Sequence, residues 1–385
     1  MNISIYVQPL INKQKTGIGF CAAGTVGSLI EKYRESFYTL EYFDYKNSKE
    51  HADKLRSFGR ENCITAQCGW FPYLLYRLLW NFIPIPYHIF FKSKPDITHF
   101  FDFYVPPGVR GKRVATVHDM SYKVYPETVR LKTKLMLNLS LKRSCKRAHK
   151  IITVSEFSKQ EIIRYMNINA DKIVVAPNGL AHDIFKPQTD IQKTEAVKQR
   201  YNIQGEYFLY LGTLEPRKNI ERLVEAYSAL KKETSNVPLL VMAGRKGWLY
   251  DSIFKKVKEL KLEQSIIFTG YAEDEDTPLL LSGATAFVFP SLYEGFGLPP
   301  LEAMACGTPV LTSNCSSLPE VVGDAAILVD PYSVAEITQG MKNLMTDENL
   351  RTELSQKGME RAKLFTWDNT ADIIYNVYKE LLGQK

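Results

Sequence analysis

Short apolar runs alternate with longer amphipathic segments along the whole chain. Runs of three to five apolar and β-branched residues predict strands, and segments with helical spacing lie between most of them. The predicted strands are Ile3–Val7, Ile97–Phe101, Arg113–Val117, Ile151–Val154, Ile173–Val175, Tyr207–Leu211, Leu239–Ala243, Ile266–Thr269, Ala286–Phe289, Pro309–Thr312 and Ala326–Val329. This alternation predicts two parallel sheets with helices on both faces.

A polar stretch near 184–198 interrupts this alternation, and the strand–helix pattern then begins again. A chain of 385 residues is long enough for two domains, each with its own core. We therefore predict an N-terminal domain of residues 1–185 and a C-terminal domain of residues 186–365. Residues 366–385 are predicted to form one amphipathic helix, because apolar residues recur there at helical spacing.

The charge is distributed unevenly between the two halves. The chain has a net charge of +7, but residues 1–185 carry 27 Lys and Arg against 15 Asp and Glu. Residues 128–155 contain eight basic side chains and no acidic one, and residues 70–91 contain nine aromatic residues with Arg77 as the only charged residue. Either these segments lie against an anionic membrane, or 70–91 is core and the basic segment holds an anionic sugar acceptor.

Several classes of protein are excluded by composition. The six cysteines are scattered without zinc-binding spacing, which is typical of reduced thiols in a cytoplasmic protein. Uninterrupted apolar stretches of 18 residues are absent, so no membrane-spanning helix is expected. We expect a cytoplasmic location, peripheral on the inner face of the membrane if the basic segment binds lipid, and no nucleic-acid partner.

The segment from Phe289 to Val310 contains the densest group of candidate binding residues. It leaves the carboxyl end of a predicted strand, passes through Glu294-Gly295-Phe296-Gly297-Leu298, and enters a helix that carries Glu302. Ligands bind at this edge of open α/β sheets, and a helix start can hold phosphate with its free N–H groups. The two glutamates are placed to accept hydrogen bonds from sugar hydroxyls.

A second loop, Gly212–Asn219, follows the strand Tyr207–Leu211. It contains Arg217 and Lys218, which together suit a diphosphate. Two cations at a helix start oppose the helix dipole, which indicates that the site holds an anion. Because these are loop residues, their substitution is expected to lower turnover and leave the fold intact.

The N-terminal half contains fewer candidates. Gly17-Ile18-Gly19 suits a glycine loop facing the cleft between the domains, and His118 ends a predicted strand, where a structural role is equally compatible with its position. Asp274-Glu275-Asp276 has the spacing of a metal-binding motif, but acids before a helix are common capping residues. We predict neither a metal nor a cofactor.

Taken together, these motifs resemble family 4 of the glycosyltransferases. The resemblance covers nearly the whole chain, and the spacing from Glu294 to Glu302 is its most specific mark. It also includes Thr16–Gly19, Val117–Asp119, Val154–Ser158, Pro177–Gly179, Gly212–Asn219 and Phe268–Tyr271. Thr213 stands where some members have an arginine. The resemblance implies an α/β fold of the GT-B type, two Rossmann-like parallel-sheet domains facing each other across a cleft, with the C-terminal helix returning to the N-terminal domain.

The resemblance also implies residue roles. Arg217 and Lys218 would bind the diphosphate, Glu294 the donor sugar and Glu302 the ribose. Catalysis would involve His118, Lys218 and Glu294. The further donor-binding residues would be Gly17, Gly19, Tyr271, Gly295, Phe296, Gly297 and Leu298.

The expected activity is transfer of a hexosyl group with retention of configuration. Similarity to bacterial polysaccharide mannosyltransferases, around 244–248 and 116–122, implies GDP-mannose as donor and a carbohydrate or lipid-linked acceptor in O-antigen-like synthesis. Alternatives are a transferase using a UDP- or dTDP-sugar, a non-hydrolysing sugar-nucleotide epimerase of the same architecture, and an inactive binding module.

Overall fold

The computed structural model describes residues 1–11, 17–46 and 48–384, and it divides into two compact units. The first unit comprises Met1–Val124, Leu131–Gly179 and Thr366–Lys385; the second comprises Tyr125–Arg130 and Leu180–Phe365. The second unit thus begins six residues before the predicted domain start, because the Leu180 amide donates to the Phe365 carbonyl at 3.1 Å. Tyr125–Arg130 belong to it as well, since the Trp248 indole donates to the Thr128 carbonyl at 2.6 Å.

A seven-stranded parallel sheet forms the centre of the first unit, in the order β3-β2-β1-β4-β5-β6-β7. Its strands are β1 (Asn2–Tyr6), β2 (Phe37–Phe43), β3 (Cys63–Cys68), β4 (Ile97–Phe100), β5 (Lys112–Thr116), β6 (Lys150–Thr153) and β7 (Ile173–Val175). The accompanying helices are α1 (Gly17–Lys32), α2 (Lys49–Arg56), α3 (Tyr73–Leu79), α4 (Ser121–Val124), α5 (Leu131–Arg147) and α6 (Glu156–Met166). The sheet extends outward on both sides of the central pair β1 and β4.

A six-stranded parallel sheet forms the centre of the second unit, in the order β10-β9-β8-β11-β12-β13. Its strands are β8 (Tyr207–Leu211), β9 (Leu239–Ala243), β10 (Ile266–Gly270), β11 (Ala286–Phe289), β12 (Val310–Ser313) and β13 (Ala326–Val329). The helices are α7 (Ile191–Arg200), α8 (Ile220–Glu233), α9 (Asp251–Glu259), α10 (Thr277–Ser282), α11 (Leu298–Ala305), α12 (Leu318–Val322), α13 (Val334–Thr346) and α14 (Glu348–Ala362). Helix α7 occupies much of the predicted linker, because Asp190 caps it and Val197 is buried.

The last helix, α15 (Trp367–Leu381), packs within the first unit. Ile374 and Tyr378 join the same apolar cluster as the residues of β1 and α1. Tyr375 stacks on Tyr33 with 3.6 Å between ring centroids. Gly24 of α1 lies so close to the Trp367 indole that a Cβ there would overlap the ring. The core of the first unit is therefore completed by residues from the far end of the chain.

Helix α3 has an unusual distribution of side chains. Leu74, Leu75 and Leu78 are 63%, 43% and 47% exposed, whereas Tyr76 faces the interior at 4% exposure. Amphipathic helices of globular proteins normally place their apolar face inward. No helix within the described residues combines the length and apolar content needed to cross a bilayer.

Candidate functional site

Two loops of the second unit meet at the carboxyl edge of its sheet. One follows β8 and the other follows β11, and these strands are paired neighbours. The Leu292 amide donates to the Arg217 carbonyl at 2.9 Å, which joins the loops directly. Asn219, with a φ of 62°, donates through its side-chain amide to the Pro290 carbonyl at 3.0 Å. This is the edge at which open parallel sheets bind ligands.

Four charged side chains form a network where the loops meet. Lys218 Nζ lies 2.6 Å from Glu294 Oε1, and Arg217 Nη1 lies 3.1 Å from Glu294 Oε2. Arg217 Nη2 also contacts Glu215 Oε1 at 2.7 Å. Lys218 and Glu294 are each only 8% exposed. Burial alone would raise the pKa of Glu294, but Lys218 and Arg217 lower it to about 2, so its carboxylate is ionised at neutral pH.

This network changes the interpretation of the two cations. Arg217 and Lys218 are compensated by two carboxylates, Glu215 and Glu294, so their presence at this position does not by itself require a bound anion. Glu215 was not among the predicted site residues, although it stands two residues before Arg217. The two carboxylates hold the two cations in fixed positions before a ligand arrives. Cations that are already in place can stabilise the negative charge that develops during a reaction.

Serine hydroxyls hold the loop that carries Glu294. Ser291 Oγ donates to Glu294 Oε1 at 2.7 Å, and Ser316 Oγ accepts from the Glu294 amide at 3.1 Å. Ser317 Oγ contacts the carbonyls of Glu294 and Phe296 at 2.9 and 2.7 Å. Sequence reasoning assigned no role to these three serines. Ser291 lies within the segment Phe289–Val310 and only three residues before Glu294, but no local pattern links the serines at 316 and 317 to that glutamate.

Helix α11 begins directly after this loop. Gly297 adopts a φ of 119° at its N-cap, a conformation open to glycine, and Leu298 is its first residue. Glu302 projects from the second turn of the helix. Burial, with a further contribution from Asp274, raises the pKa of Glu302 to about 7. The structure therefore gives the two predicted glutamates opposite electrostatic environments, one fully ionised and one half-protonated near neutral pH.

The acidic loop after β10 is divided between two roles. Tyr271, 38% exposed, donates to Asp274 at 2.7 Å. Asp276 is buried and accepts two 2.7 Å hydrogen bonds from Arg200, with a third from Tyr201. Asp276 therefore has a structural role. Among residues 1–11, 17–46 and 48–384, no group of three metal-ligating side chains comes together.

The first unit holds the remaining predicted residues. His118 follows β5 and is 8% exposed, with its Nε2 3.1 Å from the Phe101 carbonyl. Burial lowers its pKa, so the imidazole is neutral, and a proton on Nε2 leaves Nδ1 as an acceptor. Gly17 and Gly19 lie in the first turn of α1 rather than in the predicted loop, and a Cβ at Gly17 would meet no atom within 4 Å. Thr16 lies outside the described residues.

The structure thus brings together Arg217, Lys218 and the loop that carries Glu294. Separately, Asp274 accepts from Tyr271 and influences the pKa of Glu302, which links these two predicted residues. His118, Gly17 and Gly19 belong to the other unit.

Known proteins match both units. Residues 36–183 match the model of Glycosyltransferase Family 4, and residues 192–361 match that of Glycosyl transferases group 1. The chain is 41% identical over 290 residues to O-antigen chain mannosyltransferase B of Escherichia coli, covering 75% of each protein. It is 30% identical over 261 residues to O-antigen chain mannosyltransferase RfbU of Salmonella typhimurium, covering 68% of this chain and 67% of that protein.

Solved structures share the fold. Sucrose-phosphate synthase of Thermosynechococcus elongatus superposes with a TM-score of 0.76 at 21% identity, over 99% of both chains. WaaG, a glycosyltransferase of lipopolysaccharide biosynthesis, superposes with a TM-score of 0.70 at 14% identity, over the full length of both chains. The two parallel-sheet units are therefore those of the GT-B fold, as predicted.

Proposed function

This chain belongs to family 4 of the glycosyltransferases, and we propose that it transfers mannose from GDP-mannose, with retention of configuration, onto a carbohydrate or lipid-linked oligosaccharide. The product would enter a bacterial surface polysaccharide of the O-antigen kind. The names of the two mannosyltransferase relatives support both the sugar and the pathway. The family matches and the mannosyltransferase relatives make the chain a glycosyltransferase, which sets aside the epimerase and the inactive binding module.

The observation that carries this proposal is the ionic network at the carboxyl edge of the second sheet. Transfer breaks the bond between the anomeric carbon and the diphosphate, so negative charge develops on the departing oxygen. Arg217 and Lys218 would stabilise that charge, with the N–H groups at the start of α11 nearby. Glu294, ionised and held by Lys218, would accept hydrogen bonds from the donor sugar.

The resemblance to the family suggests the other donor contacts. Glu302 would bind the ribose hydroxyls and Tyr271 would lie beside the base. Gly295, Phe296, Gly297 and Leu298 would form the backbone around the phosphates, with Gly17 and Gly19 contributing from the start of α1. Nδ1 of His118 would accept a hydrogen bond from a sugar hydroxyl. The proposal includes neither a divalent metal nor a cofactor.

A thermal-shift panel of GDP-, UDP-, dTDP- and ADP-sugars tests the donor. A ligand at about 100 times its dissociation constant stabilises the folded state by about 2.7 kcal/mol. For a unit of this size, that raises Tm by roughly 5–11 °C. A shift with GDP-mannose is expected; a shift with a UDP- or dTDP-sugar and none with GDP-mannose would favour the alternative donors.

We also propose that the first unit docks on an anionic membrane, where a lipid-linked acceptor is presented. Helix α5 exposes a stripe of leucines at four-residue spacing, with Leu131, Leu135 and Leu139 being 69%, 54% and 47% exposed. Arg143 on the same helix donates to the Asn81 carbonyl at 3.0 Å, which connects α5 to the segment following α3. Helix α3 and the segments on either side of it expose further large apolar side chains, namely Trp70, Leu74, Leu75, Leu78, Phe82 and Ile83.

The charge around these leucines supports an anionic surface as the partner. The segment 128–155 has eight basic residues and no acidic one, and each basic residue near an anionic leaflet contributes about 1 kcal/mol. Exposed apolar residues rimmed by cations are typical of interfacial contact. The other interpretation, in which the basic segment holds an anionic acceptor, does not explain the exposed leucines.

Flotation with liposomes of phosphatidylcholine and phosphatidylglycerol tests the docking surface. We expect the wild type to float at low salt and the variant Leu74→Glu/Leu78→Glu to remain largely in the soluble fraction. Leu249→Glu is the matched control, because Leu249 is as exposed as Leu74 but belongs to the second unit. If the wild type stays soluble, the docking proposal fails and the basic face belongs to the acceptor alone.

A further inference from the structure

A small cavity lies at the carboxyl edge of the first sheet, next to α3. Tyr6, the last residue of β1, and Phe100, the last residue of β4, both line it. These strands are the central pair from which the sheet extends in both directions, and ligands of open α/β sheets bind at such a switch point. The cavity volume is about 20 Å³, enough for one water molecule or one hydroxyl group.

Four polar atoms on the cavity walls have no hydrogen-bond partner among the described residues. They are the hydroxyls of Tyr76 and Tyr104, Nε of Arg77 and Oδ1 of Asp102. Buried polar groups are almost always paired, so four such atoms around one cavity indicate a missing partner. The second carboxylate oxygen, Asp102 Oδ2, accepts from Tyr73 at 3.3 Å, and Arg77 Nη1 donates to Tyr73 at 3.1 Å.

The chemistry of the walls suits a neutral hydroxyl group. Arg77 Nε can donate to the hydroxyl oxygen, while Asp102 Oδ1 can accept its hydrogen. Burial raises the pKa of Asp102 to about 6 although Arg77 lowers it, so the carboxylate is mostly ionised at neutral pH and disfavours an anionic ligand. The Arg77 guanidinium lies 4.0 Å from the Tyr104 ring centroid, and Trp80 packs edge-on against Tyr104. Aromatic walls of this kind complement the C–H faces of sugars.

The backbone beside the cavity connects it to His118. Phe103 lies between Asp102 and Tyr104 with a φ of 70°, a conformation that bulky residues rarely adopt. Its ring contacts the His118 ring, with 5.6 Å between centroids. Strained backbone of this kind concentrates at functional sites. The cavity and the proposed catalytic histidine therefore belong to one continuous edge of the first unit.

We propose that this cavity is a subsite for one hydroxyl group of a neutral sugar acceptor, recognised by Tyr76, Arg77 and Asp102. The assignment of the sugar as acceptor rests on the proposed function, since the donor residues cluster in the second unit. A site built to hydrogen-bond a hydroxyl discriminates strongly against the analogue that lacks it, because its polar groups are then left unpaired.

Tyr76→Phe is the decisive variant. The Tyr76 hydroxyl bonds to no described residue, so its removal is expected to leave Tm unchanged or higher. Binding of methyl α-mannopyranoside and its monodeoxy analogues is measured by saturation-transfer NMR without donor. We expect the wild type to bind one of the deoxy analogues about tenfold more weakly than methyl α-mannopyranoside. Tyr76→Phe is expected to bind methyl α-mannopyranoside and all the analogues equally weakly.

Tyr38→Phe is the matched control, because Tyr38 is also buried in the first unit but its hydroxyl donates to the Leu29 carbonyl at 2.9 Å. It should lower Tm and leave glycoside binding unchanged. Asp102→Asn provides a second, independent variant with the same expected loss as Tyr76→Phe. The subsite is ruled out if the wild type binds none of the glycosides, or if both cavity variants bind like the wild type. The GDP-mannose thermal shift is measured in parallel, so failure of the donor assignment is seen separately.

Discussion

Replacing Lys218 by Met removes the charge that contacts Glu294 at 2.6 Å and keeps much of the side-chain volume. Sequence reasoning placed these residues in a loop and expected the fold to tolerate their loss. Their burial changes that expectation. The pKa of Glu294, lowered from 4.5 to about 2, corresponds to roughly 3 kcal/mol at about 1.36 kcal/mol per unit. Breaking a buried ion pair costs a similar amount, about 3–5 kcal/mol.

We therefore expect Lys218→Met to lower the Tm of the second unit by roughly 6–12 °C, at about 2–4 °C per kcal/mol. Glu294→Gln should be destabilised comparably, because it leaves Lys218 without its carboxylate. The double variant should recover at least half of this loss, since neither charge remains uncompensated. Turnover is expected to fall by about 100-fold or more in all three variants. Lys218→Met lacks the cation that stabilises the diphosphate, Glu294→Gln lacks the carboxylate that positions the donor sugar, and the double variant lacks both.

Thermal and urea unfolding give the stability of each variant, and donor consumption with acceptor present gives turnover. Two results would refute the reasoning. If the losses of stability in the single variants simply add in the double variant, Lys218 and Glu294 are not energetically coupled. If turnover recovers together with stability, the pair holds the loops in place and takes no part in the transfer.

Three further predictions follow from the structure. Donor affinity should rise between about pH 6 and pH 8, because the pKa of Glu302 is about 7 and only its ionised form accepts hydrogen bonds from two ribose hydroxyls. In Glu302→Gln, donor affinity measured over the same pH range should stay constant. Turnover should be unchanged when a metal chelator is added. If turnover is lost completely and magnesium or manganese restores it, the acidic loop Asp274-Glu275-Asp276 becomes a candidate metal site again. Gly24→Ala should lower Tm because its Cβ overlaps the Trp367 ring, at a cost of about 1–3 kcal/mol, whereas Gly27→Ala in the same helix has room for a Cβ and should gain up to about 1 kcal/mol.

Much of the fold could be predicted because parallel strands are recognisable as apolar runs. Each predicted strand is present with ends that differ by at most one residue. Two strands of the first sheet were missed, and the reason is chemical. Strand β2 carries Glu41, which suggests an exposed segment, yet its carboxylate is buried and accepts hydrogen bonds from Ser4 and Tyr87 at 2.8 and 2.7 Å. Strand β3 contains several polar residues, and its Ile64 is exposed. It therefore lacks the continuous apolar run that is typical of a central strand.

The candidate site was predictable as a pair of loops but not as a network. Arg217, Lys218 and Glu294 could be identified from local motifs at strand ends. The contribution of Glu215 could not, because it depends on the distance between two side chains in the folded loop. The cavity beside Asp102 could not be predicted either, since its walls come from β1, β4, α3 and the segments that follow α3 and β4.

The position of α15 has a consequence for the order in which the protein folds on the ribosome. The first unit lacks part of its apolar core until Ile374 and Tyr378 have been synthesised, and the entire second unit is translated before them. At about 5–20 residues per second, its nearly two hundred residues occupy roughly 10–40 s. During that interval α1 and the sheet behind it expose the surface that α15 later covers. We therefore expect chaperones to bind the nascent first unit, whereas the second unit can fold as soon as it emerges from the ribosome.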